Sequence, residues 1–153
     1  MAFNGDFYIL VCGARDWDDY EMIHDVIADI EKRTRRDEMQ LHVISGAQRK
    51  DSENGGYNES YWVGADWLAI EACVELQIPF HGYPAQWELA KERYGKNWRR
   101  AGIDRNAWQL REHRHHLAEG HAFHDSIADS KGTKDMVDRL RKAEVPYTIH
   151  AHS

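Results

Sequence analysis

Two periodicities alternate along the chain. Phe7-Tyr8-Ile9-Leu10-Val11-Cys12 is a continuous apolar run that stops at Gly13, the pattern of a short strand buried on both faces. Beyond Asp18 and Asp19, either of which can act as a helix N-cap, Met22, Ile23, Val26, Ile27 and Ile30 recur at helical spacing up to the basic segment near Arg36. Leu41 to Ser45 predicts a second strand, ended by Gly46-Ala47 much as Gly13-Ala14 ends the first. After Gly64, residues Ala65, Leu68, Ala69, Ala72, Cys73 and Leu76 share one helical face, and Ile78 to Tyr83 predicts a third strand. Pro84 to Tyr94 is short and helical or irregular, and Arg100 to Leu117 reads as a helix with Ala107, Trp108 and Arg111 turned inward. Ala122-Phe123-His124 predicts a brief strand and Asp125 to Lys131 a loop. Thr133 to Ala143 predicts a helix with Met136, Val137 and Leu140 on one face, and Val145 to Ile149 a closing strand.

Strands alternating with helices imply an α/β fold, a Rossmann-like three-layer sandwich around an open, mainly parallel sheet of about five strands. With 153 residues, 42% of them hydrophobic, the chain is expected to form a single domain over residues 1–153. One stretch fits neither periodicity. Residues 48–63 are polar and rich in Gly, Asn, Ser and Asp, which predicts a loop that is long for a compact domain. Its Tyr57, Tyr61 and Trp62 suggest a lid over a ligand, with a plain surface insertion as the alternative.

Charge and composition narrow the partners. A formal net charge of −6 argues against nucleic acid, whose binders carry basic surfaces, and the cluster from Lys32 to Arg36 suits the carbonyl end of a helix. There is no apolar stretch of ~18 residues and no signal-peptide pattern, so a cytoplasmic protein without a membrane partner is expected. Cys12 and Cys73 form no C-x-x-C pair and read as buried thiols. His113, His115, His116, His121 and His124 lack H-E-x-x-H spacing, so neither a metal site nor a cofactor is expected; a homo-oligomer is compatible with the sequence. Mean hydropathy is −0.76, yet six tryptophans are present, which leaves aromatic rings available to a ligand cleft.

Ligands of open parallel sheets bind beyond the carboxyl ends of the strands, where the glycine turns fall. In Gly13-Ala14-Arg15-Asp16-Trp17, the Arg15 guanidinium suits a phosphate and the Asp16 carboxylate suits ribose hydroxyls. Ser45-Gly46-Ala47 ends the second strand in the same manner. Ser130-Lys131-Gly132-Thr133 brings hydroxyls, an ammonium and unpaired helix N–H groups to one turn, the strongest phosphate signal in the chain. Neither G-x-G-x-x-G nor G-x-x-x-x-G-K-[ST] is present, which argues against a dehydrogenase or a P-loop NTPase. His124-Asp125 is an acid/base candidate, and Trp17, Trp62 and Trp87 are candidates to stack on a base.

The ordered series Gly13-Ala14-Arg15-Asp16-Trp17, Ser45-Gly46-Ala47, Gly64-Ala65-Asp66, Pro84-Ala85-Gln86-Trp87, Tyr94-Gly95-Lys96, Ala101-Gly102-Ile103-Asp104-Arg105-Asn106 and Lys131-Gly132-Thr133-Lys134-Asp135-Met136 resembles the YspA/YpsA-like branch of the SLOG superfamily, found in bacteria and their phages, over nearly the whole chain. The resemblance implies a Rossmann-like fold and a nucleotide or nucleotide-derived ligand, and it adds Gly64, Asp66, Arg105 and Asn106 to the expected ligand contacts. Some SLOG proteins are phosphoribohydrolases with a Gly-Gly-x-Gly-Thr-x-x-Glu loop and an upstream arginine. Arg105 matches that arginine and Gly132-Thr133 the loop, but Met136 stands where the catalytic glutamate would be. N-glycosidic cleavage needs a carboxylate near the sugar, which methionine cannot supply. Asp135 is adjacent, and Asp16, Asp66 or Asp125 could substitute from other strand ends. The sequence therefore favours a sensor or sequestering protein. It leaves open an N-glycoside hydrolase or transferase using Arg105 with Asp135 or Asp125, or a protein-interaction scaffold.

Overall fold

The computed structural model describes residues 3–47, 64–98 and 100–152. Within them lie five strands, β1 (Gly5–Gly13), β2 (Met39–Ser45), β3 (Phe80–Gly82), β4 (Leu117–Phe123) and β5 (Tyr147–His150). The helices are α1 (Tyr20–Arg36), α2 (Ala65–Leu76), α3 (Trp87–Tyr94), α4 (Arg100–His113) and α5 (Lys131–Lys142). All strand pairs are parallel and the order is β3-β2-β1-β4-β5. The chain thus moves outward from β1 to β3, then returns to the other side of β1 for β4 and β5. The order reverses between β1 and β4, where the two halves of such a sheet leave a crevice at the carboxyl ends.

Because successive strand residues face opposite ways, the apolar run in β1 feeds two cores at once. Ile9 and Val11 pack under α1 and α2, whereas Leu10 and Cys12 pack under α4 and α5. This makes the three-layer α/β sandwich that the alternation predicts. Each fully buried Ile, Leu or Val contributes roughly 1.5–3 kcal/mol. At the start of α1 the Asp19 carboxylate accepts from the Met22 N–H at 3.1 Å, and Arg33, Arg35 and Arg36 occupy its carbonyl end. Cys12 and Cys73 are free buried thiols. No described helix is long and apolar enough to cross a membrane.

The structure differs from the sequence reading mainly around α4 and β4. The helix ends at His113, four residues earlier than expected, and β4 begins at Leu117, so His124 lies beyond the strand. The inward face of α4 is Asn106, Gln109, Leu110 and His113; Arg111 is exposed. Apolar periodicity could not mark a face that is mostly polar. Gly120 inside β4 resembles a breaker, but it is there for packing: a Cβ would fall 2.6 Å from Leu140 Cδ1, so its absence lets α5 ride directly on the sheet. The expected lid, with Tyr57, Tyr61 and Trp62, lies outside the described residues.

Candidate functional site

The ends of β1, β2 and β4 and the starts of α2 and α5 surround a cleft of about 760 Å³, walled on one side by α4. That volume lies inside the range of small-molecule sites, roughly 300–1,000 Å³. Gly13 makes the convergence sterically feasible. A Cβ there would stand 2.3 Å from the Phe123 carbonyl oxygen and 2.7 Å from the Ala65 Cβ. The next residue staples the three elements together, since the Ala14 N–H donates to Phe123 O at 2.9 Å and Ala14 O accepts from the Ala65 N–H at 3.0 Å. Arg15 and Asp16 then emerge, exposed, at the mouth of the cleft, with the Arg15 guanidinium 5.5 Å over the Trp87 ring.

Arg105 reaches from α4 to the end of β2. Its Nη1 donates to Gly46 O at 2.8 Å, its Nε donates to Asn106 Oδ1 at 3.0 Å, and Asp66 Oδ2 lies 3.9 Å from Nη1. Gly46 carries no side chain because the pair occupies that space: a Cβ would meet Arg105 Nη1 at 2.3 Å and Asp66 Oδ2 at 2.6 Å. Asn106, buried, passes the order on to α5 by donating from Nδ2 to Gly132 O and to Asp135 Oδ2, each at 3.1 Å. The start of α5, the end of β2 and the start of α2 are therefore tied to one another through two consecutive residues of α4.

Helix α5 begins two residues earlier than expected. Ser130 is its N-cap and accepts from the Thr133 N–H at 3.1 Å, while Thr133 itself is buried in the first turn. The Lys131 and Gly132 amides, at the first two helical positions, have no acceptor among the described residues. Space above Gly132 is open, because a Cβ there would meet nothing within 4 Å. Among the described residues lining the cleft, Arg15, Arg100, Arg105 and Lys131 are set against Asp16, Asp66 and Asp129. The excess of cations is notable on a chain whose formal charge is −6.

Gly13, Ala14, Arg15, Asp16, Gly46, Gly64, Asp66, Arg105, Asn106 and the turn from Ser130 to Thr133 thus line one cleft. Five other expected residues do not line it. Trp17 is buried in the core, edge-on to Phe123 and stacked on His152, with Nε1 donating to Asp19 O at 3.0 Å, so it anchors the loop and cannot stack on a base. Ser45 is buried, and its hydroxyl donates to Asp66 O at 2.6 Å and accepts from the Ala47 N–H at 3.1 Å; both residues shape the turn from behind. Asp135 Oδ2 is taken up by Asn106 and by Arg139 Nε at 2.8 Å. Asp125 holds the C-terminal segment, accepting from the His152 N–H at 2.7 Å with Oδ2 2.8 Å from its Nδ1; those bonds keep its carboxyl below the usual aspartate value. Its neighbour His124 does line the cleft. Its Nδ1 accepts from the Ser126 N–H at 2.9 Å, so the neutral ring carries its proton on Nε2.

Met136 lines the cleft as well, with three residues that motif reasoning passes over: Cys12, Arg100 and Gln109. Burial, reinforced by Asp66, pushes the Cys12 thiol far up, so it stays protonated and is no nucleophile. Gln109 stands four residues after Arg105 and three after Asn106, on the same helical face, and that spacing is the signal by which it could have been found. Compared with known proteins, the chain matches no family model, no curated protein and no solved structure.

Proposed function

We propose that the cleft binds a nucleotide or nucleotide-derived small ligand, and that the protein senses or sequesters it. The observation that carries this reading is the start of α5, where Lys131 and Gly132 line the cleft at the switch point of the sheet and their amides have no acceptor among the described residues. Helix starts of this kind hold phosphates through backbone N–H groups and the helix dipole. The resemblance of the glycine turns to SLOG proteins points the same way. Mass analysis of small molecules released from the purified protein, followed by calorimetric titration of what is found, tests the proposal. Lys131→Glu reverses one exposed charge at the helix start and is expected to weaken binding by roughly ten-fold or more. Unchanged affinity in that variant would remove the phosphate from this turn.

A second reading, N-glycosidic cleavage of nucleoside monophosphates or transfer of the base, is favoured by one observation. Asp66 brings a buried carboxylate to the cleft wall beside Arg105. A carboxylate there is suited to meet the positive charge that develops on the sugar. Incubating the protein with nucleoside monophosphates and looking for free base and ribose 5-phosphate separates this reading from binding alone; no release would leave binding.

A further inference from the structure

Gln109 is 1% exposed, lines the cleft, and its Nε2 has no hydrogen-bond partner among the described residues. One other buried side-chain atom there shares that status, His121 Nε2, but it lies 3.3 Å from a Glu119 carboxylate oxygen. Leaving a buried amide donor unpaired is costly, so the position calls for an acceptor.

The distribution of charge says what kind of acceptor fits. Arg15, Arg100 and Lys131 line the cleft as exposed cations, whereas Gln109 offers a neutral amide where solvent does not reach. A primary amide presents a donor and an acceptor side by side, which pairs with a planar edge bearing an acceptor next to a donor, as adenine and the lactam bases do. We infer that Gln109 reads the base of the ligand, donating from Nε2 to a ring nitrogen or carbonyl of a nucleobase that enters the cleft ahead of its phosphate. The inference rests on the reading of the cleft as a nucleotide site and adds the orientation and the residue that sets base preference.

Calorimetric titration of the full chain with AMP, GMP, CMP, UMP and ribose 5-phosphate tests it. At least one of the four nucleotides is expected to bind roughly ten-fold or more tightly than ribose 5-phosphate. Gln109→Met keeps the volume and removes the donor, so it should abolish that preference while leaving the affinity for ribose 5-phosphate unchanged. Gln109→Leu, which also lacks the donor and adds no charge, provides the same comparison should the first variant fold poorly. If the wild type binds ribose 5-phosphate as well as every nucleotide, or if both variants keep the base preference, Gln109 does not read the base and the inference falls while the phosphate site stands. If neither ribose 5-phosphate nor any nucleotide binds the wild type, the reading of the cleft fails and the inference with it.

Discussion

Gly46 shows how tightly the cleft wall is drawn. Its missing side chain is replaced by the Arg105 guanidinium and the Asp66 carboxylate, each within 2.6 Å of where a Cβ would stand. The guanidinium cannot withdraw freely, since Arg105 also bonds Gly46 O and Asn106 Oδ1. Gly46→Ala is therefore expected to destabilise the protein by about 1–3 kcal/mol in denaturant unfolding, the usual cost of overpacking. In an Arg105→Ala background the guanidinium contacts are gone and only the Asp66 carboxylate oxygen, at 2.6 Å, still meets the added methyl, so a part of that cost should vanish. The difference between the two backgrounds is the quantity to measure, and additive effects would show that Arg105 is not what excludes the side chain.

Helix α5 carries a similar dependence on one residue. The Ser130 hydroxyl satisfies the Thr133 N–H and fixes where the helix starts, which in turn leaves the Lys131 and Gly132 amides without an acceptor among the described residues. Ser130→Ala should cost about 1 kcal/mol of stability by thermal or denaturant unfolding, and an effect near zero would mean that another group takes over the cap. This start was legible in the sequence to within two residues, because a turn bearing hydroxyls just before an amphipathic run is a local signal. β1 was legible for a different reason: a strand buried on both faces is a continuous apolar run, and Ile9 to Cys12 divide between two cores. α4 was the element least legible. Its inner face is Asn106, Gln109, Leu110 and His113, in which one apolar residue stands among three polar ones and leaves no apolar periodicity to read. Motif resemblance reached Arg105 and Asn106 but stopped short of Gln109. That Asp135 and Trp17 face partners other than the cleft follows from long-range contacts, with Asn106 and Arg139 for the one and Phe123 and His152 for the other.

Away from the cleft, a patch of histidines couples the strands on one side of the sheet to α4 and makes stability depend on pH. Tyr8 of β1 is sandwiched between His42 of β2 and His116, with ring centroids 4.5 and 3.8 Å away. His81 Nε2 of β3 lies 3.3 Å from His42 Nδ1, His113 Nδ1 lies 2.7 Å from His116 Nε2, and the Tyr83 hydroxyl meets His113 Nε2. A hydrogen bond between two imidazoles needs one of them neutral, so full protonation would set donor against donor. Burial first, and the neighbouring histidines second, lower the values of His81, His113 and His116, with His113 brought down to about 4. Asp6, at 2.9 Å from His42 Nε2, opposes this in part. In the unfolded chain each histidine titrates near its ordinary value of about 6.5, so below that pH the unfolded state takes up protons that the folded state refuses. The stability contributed by the patch is thus complete above about pH 6.5 and is lost as pH falls toward the depressed folded values. His152 runs the other way. Its hydrogen bonds to Asp125 raise its value, so its contribution is present below the unfolded value and fades as pH rises through the folded one. The urea midpoint is accordingly expected to drop between about pH 7.5 and about pH 5 at fixed ionic strength. His113→Gln should lower stability at the upper pH by losing the Tyr83 and His116 bonds, yet show a shallower drop over the interval. Carboxylates titrate alike in both proteins, so parallel slopes for wild type and variant would place the pH dependence outside the histidine patch.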